Sequence, residues 1–215
     1  MRSITRRTAT VVLAGALGVG GLTVAAPALA GNGPGWGTGY GMSQGMGQGM
    51  GQGMGQGMGY GGGCQGGVST APQGTLTGAQ KSTLASMAQE EKLAHDLYAE
   101  FGARYDAVVF DRVGAAETQH LTVLRVLLQR YGVSDPTAKQ PAGTFTDSTV
   151  QATYDELLRQ GQAGRSAALT AAQQVERDDI AALTAALGGL TAPDVQRAYT
   201  HLLMASQMHL AAFTR

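Results

Sequence analysis

A chain of 215 residues with 15 Lys plus Arg against 15 Asp plus Glu has no formal net charge, which excludes the basic footprint of a nucleic-acid-binding protein. Most of its 33 glycines precede residue 75, so the first third of the chain is compositionally apart from the rest. The single cysteine, Cys64, excludes an internal disulfide, leaving a packed core, a metal or a partner to hold the fold.

Residues 1–30 read as an export signal. Arg2, Arg6 and Arg7 precede an apolar run from Val11 to Val24, and Ala28-Leu29-Ala30 supplies a small-residue cleavage pattern. The run is short and Gly-rich for a retained membrane span. The expected destination is outside the cytoplasm, secreted, periplasmic or at the cell surface, after cleavage near Ala30; Arg6-Arg7 keeps both the general and the twin-arginine routes open. Cleavage removes three arginines and no acid, leaving a net charge of about −3.

Residues 31–74 repeat Gly-Met-Gly-Gln, with Met42, Met46, Met50, Met54 and Met58 every four residues. Glycine at alternate positions offers maximal backbone entropy and little to bury, so a disordered linker is expected. Thioethers suit Cu(I), which makes a metal-collecting arm the alternative to a plain tether.

From Thr75 the composition turns to Ala, Leu, Gln, Glu and Arg. Thr77-Gly78-Ala79-Gln80 is a capping box for a helix to about Phe101, closed by Gly102. A second helix runs from about Ala107 to Tyr131, with Gly132 as its stop. Ser134 to Phe145, with Pro136 and Pro141, is a connection. A short helix from Asp147 or Ser148 to Gln160 ends at Gly161 and Gly164. Ser166 to Leu187 forms the next long helix, closed by Gly188-Gly189, and Pro193 opens the last one in its first turn. Four long helices, one extra short helix and no strand pattern make residues 75–215 a single all-α domain.

Each long helix carries polar residues inside its apolar stripe. The stripes are Leu84, Met87, Glu91, Ala94, Tyr98, Phe101; Val113, Glu117, His120, Leu124, Leu127, Tyr131; Leu169, Ala172, Glu176, Asp179, Leu183, Ala186; and Val195, Tyr199, Leu202, Ser206, His209, Phe213. Carboxylates buried without partners cost several kcal/mol each, so four such stripes turned together imply a positive charge between them. Glu91, Glu117, His120, Glu176, Asp179 and His209 are therefore the expected metal ligands. A carboxylate and imidazole set suits iron, with manganese or zinc as alternatives. His95 and His201 sit off the stripes and read as solvated or supporting residues; Tyr98 and Tyr199 read as core tyrosines with satisfied hydroxyls.

Glu90-Glu91-Lys92-Leu93-Ala94, Glu117-Thr118-Gln119-His120-Leu121, Val175-Glu176-Arg177-Asp178-Asp179-Ile180 and Ser206-Gln207-Met208-His209-Leu210, taken as a set, resemble the ferritin-like superfamily, rubrerythrin and its relatives included. More closely they are similar to the domain of unknown function 2202 (DUF2202) family, over roughly Leu76 to Phe213. The superfamily resemblance implies a ferritin-like four-helix bundle with Glu91 and Glu176 as single-helix ligands and a Glu-x-x-His pair on each other helix. Ser206 stands where the second pair would have its glutamate, which removes one bridging carboxylate. Asp179 could restore the count, and a one-metal or vestigial site is the alternative.

The expected function is that of an exported metal-binding bundle holding one or two iron-type ions, with oxidase, ferroxidase or peroxide-consuming chemistry, and metal ions with dioxygen or peroxide as partners. A module that binds or sequesters iron or copper without turnover is the rival, and a purely structural bundle the third reading. The resemblance also allows a homodimer.

Overall fold

The structure, a computed structural model, describes residues 71–215. The expected export signal, the methionine repeat and Cys64 lie outside the described residues.

Helix α1 (Gly78–Tyr105) opens on the expected capping box: Thr77 Oγ1 accepts from the Gln80 N–H at 3.2 Å, and Gln80 Oε1 accepts from the Thr77 N–H at 2.9 Å. It does not stop at Gly102 but continues to Tyr105, where Asp106 turns the chain with φ 45°. Gly102 serves close approach instead, since a Cβ there would lie 2.6 Å from Asp111 Oδ1.

Helix α2 (Val108–Arg130) ends as the sequence predicts. Gly132 takes φ 62° and the Val133 N–H reaches back to the Leu128 carbonyl at 2.8 Å. Helix α3 (Ser148–Gly161) is capped by the Asp147 carboxylate, which accepts from the N–H groups of Thr149 and Val150. Helix α4 (Arg165–Leu187) and helix α5 (Pro193–Phe213) complete the set.

The four long helices form a ring in which α1 packs on α2, α2 on α5, α5 on α4 and α4 on α1, while α3 lies against α4 and α1. Diagonal pairs do not come together, so the centre of the ring is lined by side chains alone. This is the expected all-α bundle with one extra short helix. Among the described residues no helix is long and apolar enough to cross a membrane.

The apolar core is split in two. One cluster includes Leu84, Leu124, Leu127, Leu183, Val195 and Leu202; the other includes Leu97, Tyr98, Phe101, Phe110, Val175 and Phe213. On every long helix the polar stripe residues fall between the two: Glu91 between Ala88 and Leu93, Glu117 and His120 between Val113 and Leu121, Glu176 and Asp179 between Val175 and Leu183, and Ser206 and His209 between Leu202 and Phe213. The polar layer is thus a disc sandwiched between two apolar blocks.

Before α1 the chain is pinned to one end of the bundle. The Gly74 N–H donates to Tyr131 Oη at 3.1 Å, and Tyr131 Oη in turn donates to Asp194 Oδ1 at 2.6 Å. Arg130 completes the clasp, donating to the fully buried Asp194 at 3.0 Å and to the Ala71 carbonyl at 3.3 Å.

Candidate metal centre

The i,i+3 spacing of Glu117 and His120 puts both side chains on the inward face of α2, where Glu117 Oε2 and His120 Nδ1 lie 2.7 Å apart. From α1, Glu91 brings Oε2 to 3.3 Å from the same Nδ1. From α5, His209 brings Nδ1 to 2.9 Å from Glu117 Oε1, and from α4 Glu176 Oε2 stands 3.6 Å from His209 Nδ1. The two imidazoles stack, with centroids 5.5 Å apart and planes 22° from parallel.

Five side chains from four helices therefore make two overlapping groups. Glu91, Glu117 and His120 have donor atoms within 4.8 Å of one another, as do Glu117, Glu176 and His209, and Glu117 belongs to both. All except His209 are buried, and the His209 side chain is only 12% exposed.

Distance and direction disagree here in an informative way. Glu91 Oε2, Glu117 Oε1, Glu176 Oε2 and His209 Nδ1 are buried yet have no hydrogen-bond partner, although each lies within 3.6 Å of an atom of opposite type. Close donors and acceptors that converge without aligned N–H···O geometry are arranged about a common space rather than toward each other. Two nitrogens and three carboxylates around that space fit an iron-type cation.

The protonation pattern follows from the same crowding. Burial would raise Glu117, but the hydrogen bond from His120 and the charge of the two adjacent imidazoles outweigh it and hold the carboxyl well below the usual range. Burial works against charge on His120, yet Glu91 and Glu117 lift it to about 11, and in the same way Glu117 and Glu176 lift His209 to about 9. Glu91 is pushed up to about 8, chiefly by burial, with His120 pulling down and Glu117 pushing up. Glu176 is raised, again first by burial. Without a cation the site compensates its acids by holding protons on imidazoles and carboxyls.

Supporting residues surround the five. Tyr98 Oη donates to Glu176 Oε1 at 2.7 Å, orienting that carboxylate. Tyr98 thus has the satisfied hydroxyl expected of a core tyrosine. Tyr199 does not: its hydroxyl is buried with no partner. Ser206 is buried and its Oγ donates to the Leu202 carbonyl of its own helix at 3.0 Å.

Asp179 is 6% exposed and faces the cluster's charges, but it belongs to neither donor group. His95 lies outside the cluster, its Nδ1 2.9 Å from Asp96 Oδ1, while Asp96 is itself paired with Lys92. A shallow groove of 220 Å³ between α1 and α2 is lined by His95, Asp111 and Thr118, and none of the five clustered side chains borders it. His201 is exposed on α5.

Glu90 is the residue the stripes do not reveal. It precedes Glu91 on α1, with Oε2 buried and no hydrogen-bond partner. The one available signal is that α1 packs on both α2 and α4, so two adjacent positions can each point inward.

Comparison with known proteins places this arrangement among relatives of open function. The sequence profile described as "Uncharacterized protein domain (DUF2202)" matches residues 80–215. The uncharacterized protein MJ0754 of Methanocaldococcus jannaschii is 27% identical over 148 residues, spanning 69% of this chain and 80% of its own. The crystal structure of that hypothetical protein superposes with a TM-score of 0.65 at 26% identity, covering 67% of this chain and 82% of the other.

Proposed function

The chain belongs to the DUF2202 family, and from that premise we propose that its bundle holds a dinuclear iron-type centre in which Glu117 is the shared carboxylate. Glu91 and His120 complete one position; Glu176 and His209 complete the other. The observation that carries this reading is the convergence of four buried donor atoms without hydrogen-bond partners, on four different helices, around Glu117. A glutamate from each of two helices with Glu-x-x-His from each of the other two is the donor pattern of carboxylate-bridged bundle sites, and this chain has it except for Ser206 in place of the second pair's glutamate.

Loaded with iron, such a centre supplies one-electron redox chemistry toward dioxygen or peroxide. The chain's own part is to keep the donors preorganised and dry. Tyr98 fixes the Glu176 carboxylate, and the two apolar blocks exclude water above and below. His120 and His209 would hold the metal through ring nitrogens and would give up their extra protons to do so. With Ser206 where a second shared glutamate would stand, each position has two carboxylates and one imidazole, Glu117 being common to both.

The test is metal analysis of chain purified without chelating resin, followed by anaerobic Fe(II) titration and addition of dioxygen or peroxide. Two ions per chain and oxidant consumption beyond the Fe(II) blank are expected. No retained metal, no uptake on reconstitution and no consumption would refute the proposal. Two bound ions with no consumption would select a sequestration module over an oxidase or peroxide-consuming enzyme. The export signal adds that this chemistry is carried out beyond the cytoplasm, and the methionine repeat offers a separate Cu(I) arm; binding of more Cu(I) by the full chain than by a chain beginning at Gly74 checks the second point.

A further inference from the structure

Helix α5 buries one face in the bundle and leaves an outer face that carries no charge over most of its length. From Ala198 to Thr214 the helix contains no Asp, Glu, Lys or Arg. On the outer face of that stretch stand two of the four large apolar residues exposed among the described residues, Met204 at 57% and Met208 at 56%. They are four residues apart on the same helix, and His201, also exposed, lies three residues before Met204. Spacings of three and four make Met204 the neighbour of both others, with Cβ atoms about 5–6 Å apart.

Packing does not account for the methionine pair. The two core clusters are filled by Leu, Val, Ala and aromatic rings, and Met87 is the only methionine among their buried residues. Met204 and Met208 instead repeat, on a helix surface, the every-fourth-residue spacing of Met42 to Met58. Thioether sulfur is a soft, uncharged donor, and three rotatable bonds let two such side chains one turn apart bring their sulfurs to one ion. An imidazole has two ring nitrogens, so ligation by one is compatible with the interaction His201 already makes in the fold. No carboxylate stands on this stretch of α5. The donor set therefore disfavours the hard divalent ions that suit the Glu117 centre and favours a soft monovalent one.

We propose that Met204, Met208 and His201 form a surface site for Cu(I), a second metal site on the bundle, distinct from the Glu117 centre in its donors and its chemistry. It requires neither the dinuclear reading above nor the methionine repeat. Leucine at 204 and 208 keeps the apolar surface and the helix and loses only the sulfurs, so the ligand role is separable from packing or docking.

The experiment is an anaerobic titration of the full chain, carrying isotope-labelled methionine methyl groups, with Cu(I) buffered by bicinchoninate and read by NMR. The methyl resonances of Met204 and Met208, identified with Met204→Leu and Met208→Leu, should move together and saturate at one ion for the pair. Met204→Leu should shift the Met208 response to about tenfold higher free Cu(I), and Met208→Leu and His201→Asn should do the same to Met204, because each removes a donor held at high effective concentration. Resonances that stay still while the methionines of the repeat respond would overturn the site. So would a Met208 response left unchanged by Met204→Leu, which would put the ion at the adjacent His209 instead. A Met204 response left unchanged by His201→Asn would overturn the three-donor set.

Discussion

Glu117 lies between two imidazoles, and its substitution is the sharpest probe of the centre. Glu117→Gln removes the shared oxygen charge, so bound metal should fall from two ions to one or fewer per chain, measured by elemental analysis. The metal-free protein carries a second, pH-based signature. Glu91 titrates near 8 instead of 4.5 in the fold and His209 near 9 instead of 6.5, so the folded state holds protons that the unfolded chain has lost. The stability tied to them is full below the unfolded values and declines as pH rises through the folded ones. Glu117, held low, changes only in acid and does not offset this trend. The metal-free Tm should therefore fall by at least about 5 °C between pH 5 and pH 9, and saturating metal, which replaces those protons, should flatten or reverse the slope in a calorimetric scan. Glu117 and His120 were legible because an i,i+3 polar pair interrupts an otherwise apolar stripe. Glu90 was not, because a stripe describes one helix face and α1 presents two.

At the scale of elements, the helix ends were read from capping chemistry and hold where the caps are local. Thr77, Asp147, Gly132 and Pro193 act where the sequence put them. Gly102 was misplaced as a helix stop because its role is tertiary, an approach of Asp111 that no local rule encodes. Gly161 combines both kinds of role: it ends α3, and a Cβ there would lie 2.1 Å from the Phe101 ring. Gly161→Ala should cost roughly 1–3 kcal/mol in denaturant unfolding through overpacking, yet keep the metal stoichiometry, since Phe101 lies in the apolar block away from the donors. The opposite outcome is expected on α5. Ser206→Glu adds a carboxylate to the layer, so the metal-free protein should lose stability while the loaded protein binds its second ion more tightly, seen as a Tm that drops without metal and recovers with it.

At the scale of the whole molecule, the bundle itself was legible from four stripes and short connections, but the clasp that closes one end was not. Asp194 lies 64 residues from Arg130 and 63 from Tyr131, and nothing local in it distinguishes it from an ordinary first-turn acid. Asp194→Ala should cost about 3 kcal/mol by removing the buried carboxylate that joins Arg130 to Tyr131, with metal content unchanged. The division of the apolar core has a larger consequence. Two oily blocks separated by an ionic disc share few nonpolar contacts across it, so in the stripped protein each half can melt on its own schedule. An ion gripped by all four rods would weld the halves into one unit that opens all or none. The ratio of calorimetric to van't Hoff enthalpy should then exceed one for stripped protein and return to one when it is loaded, making thermal cooperativity a direct gauge of occupancy.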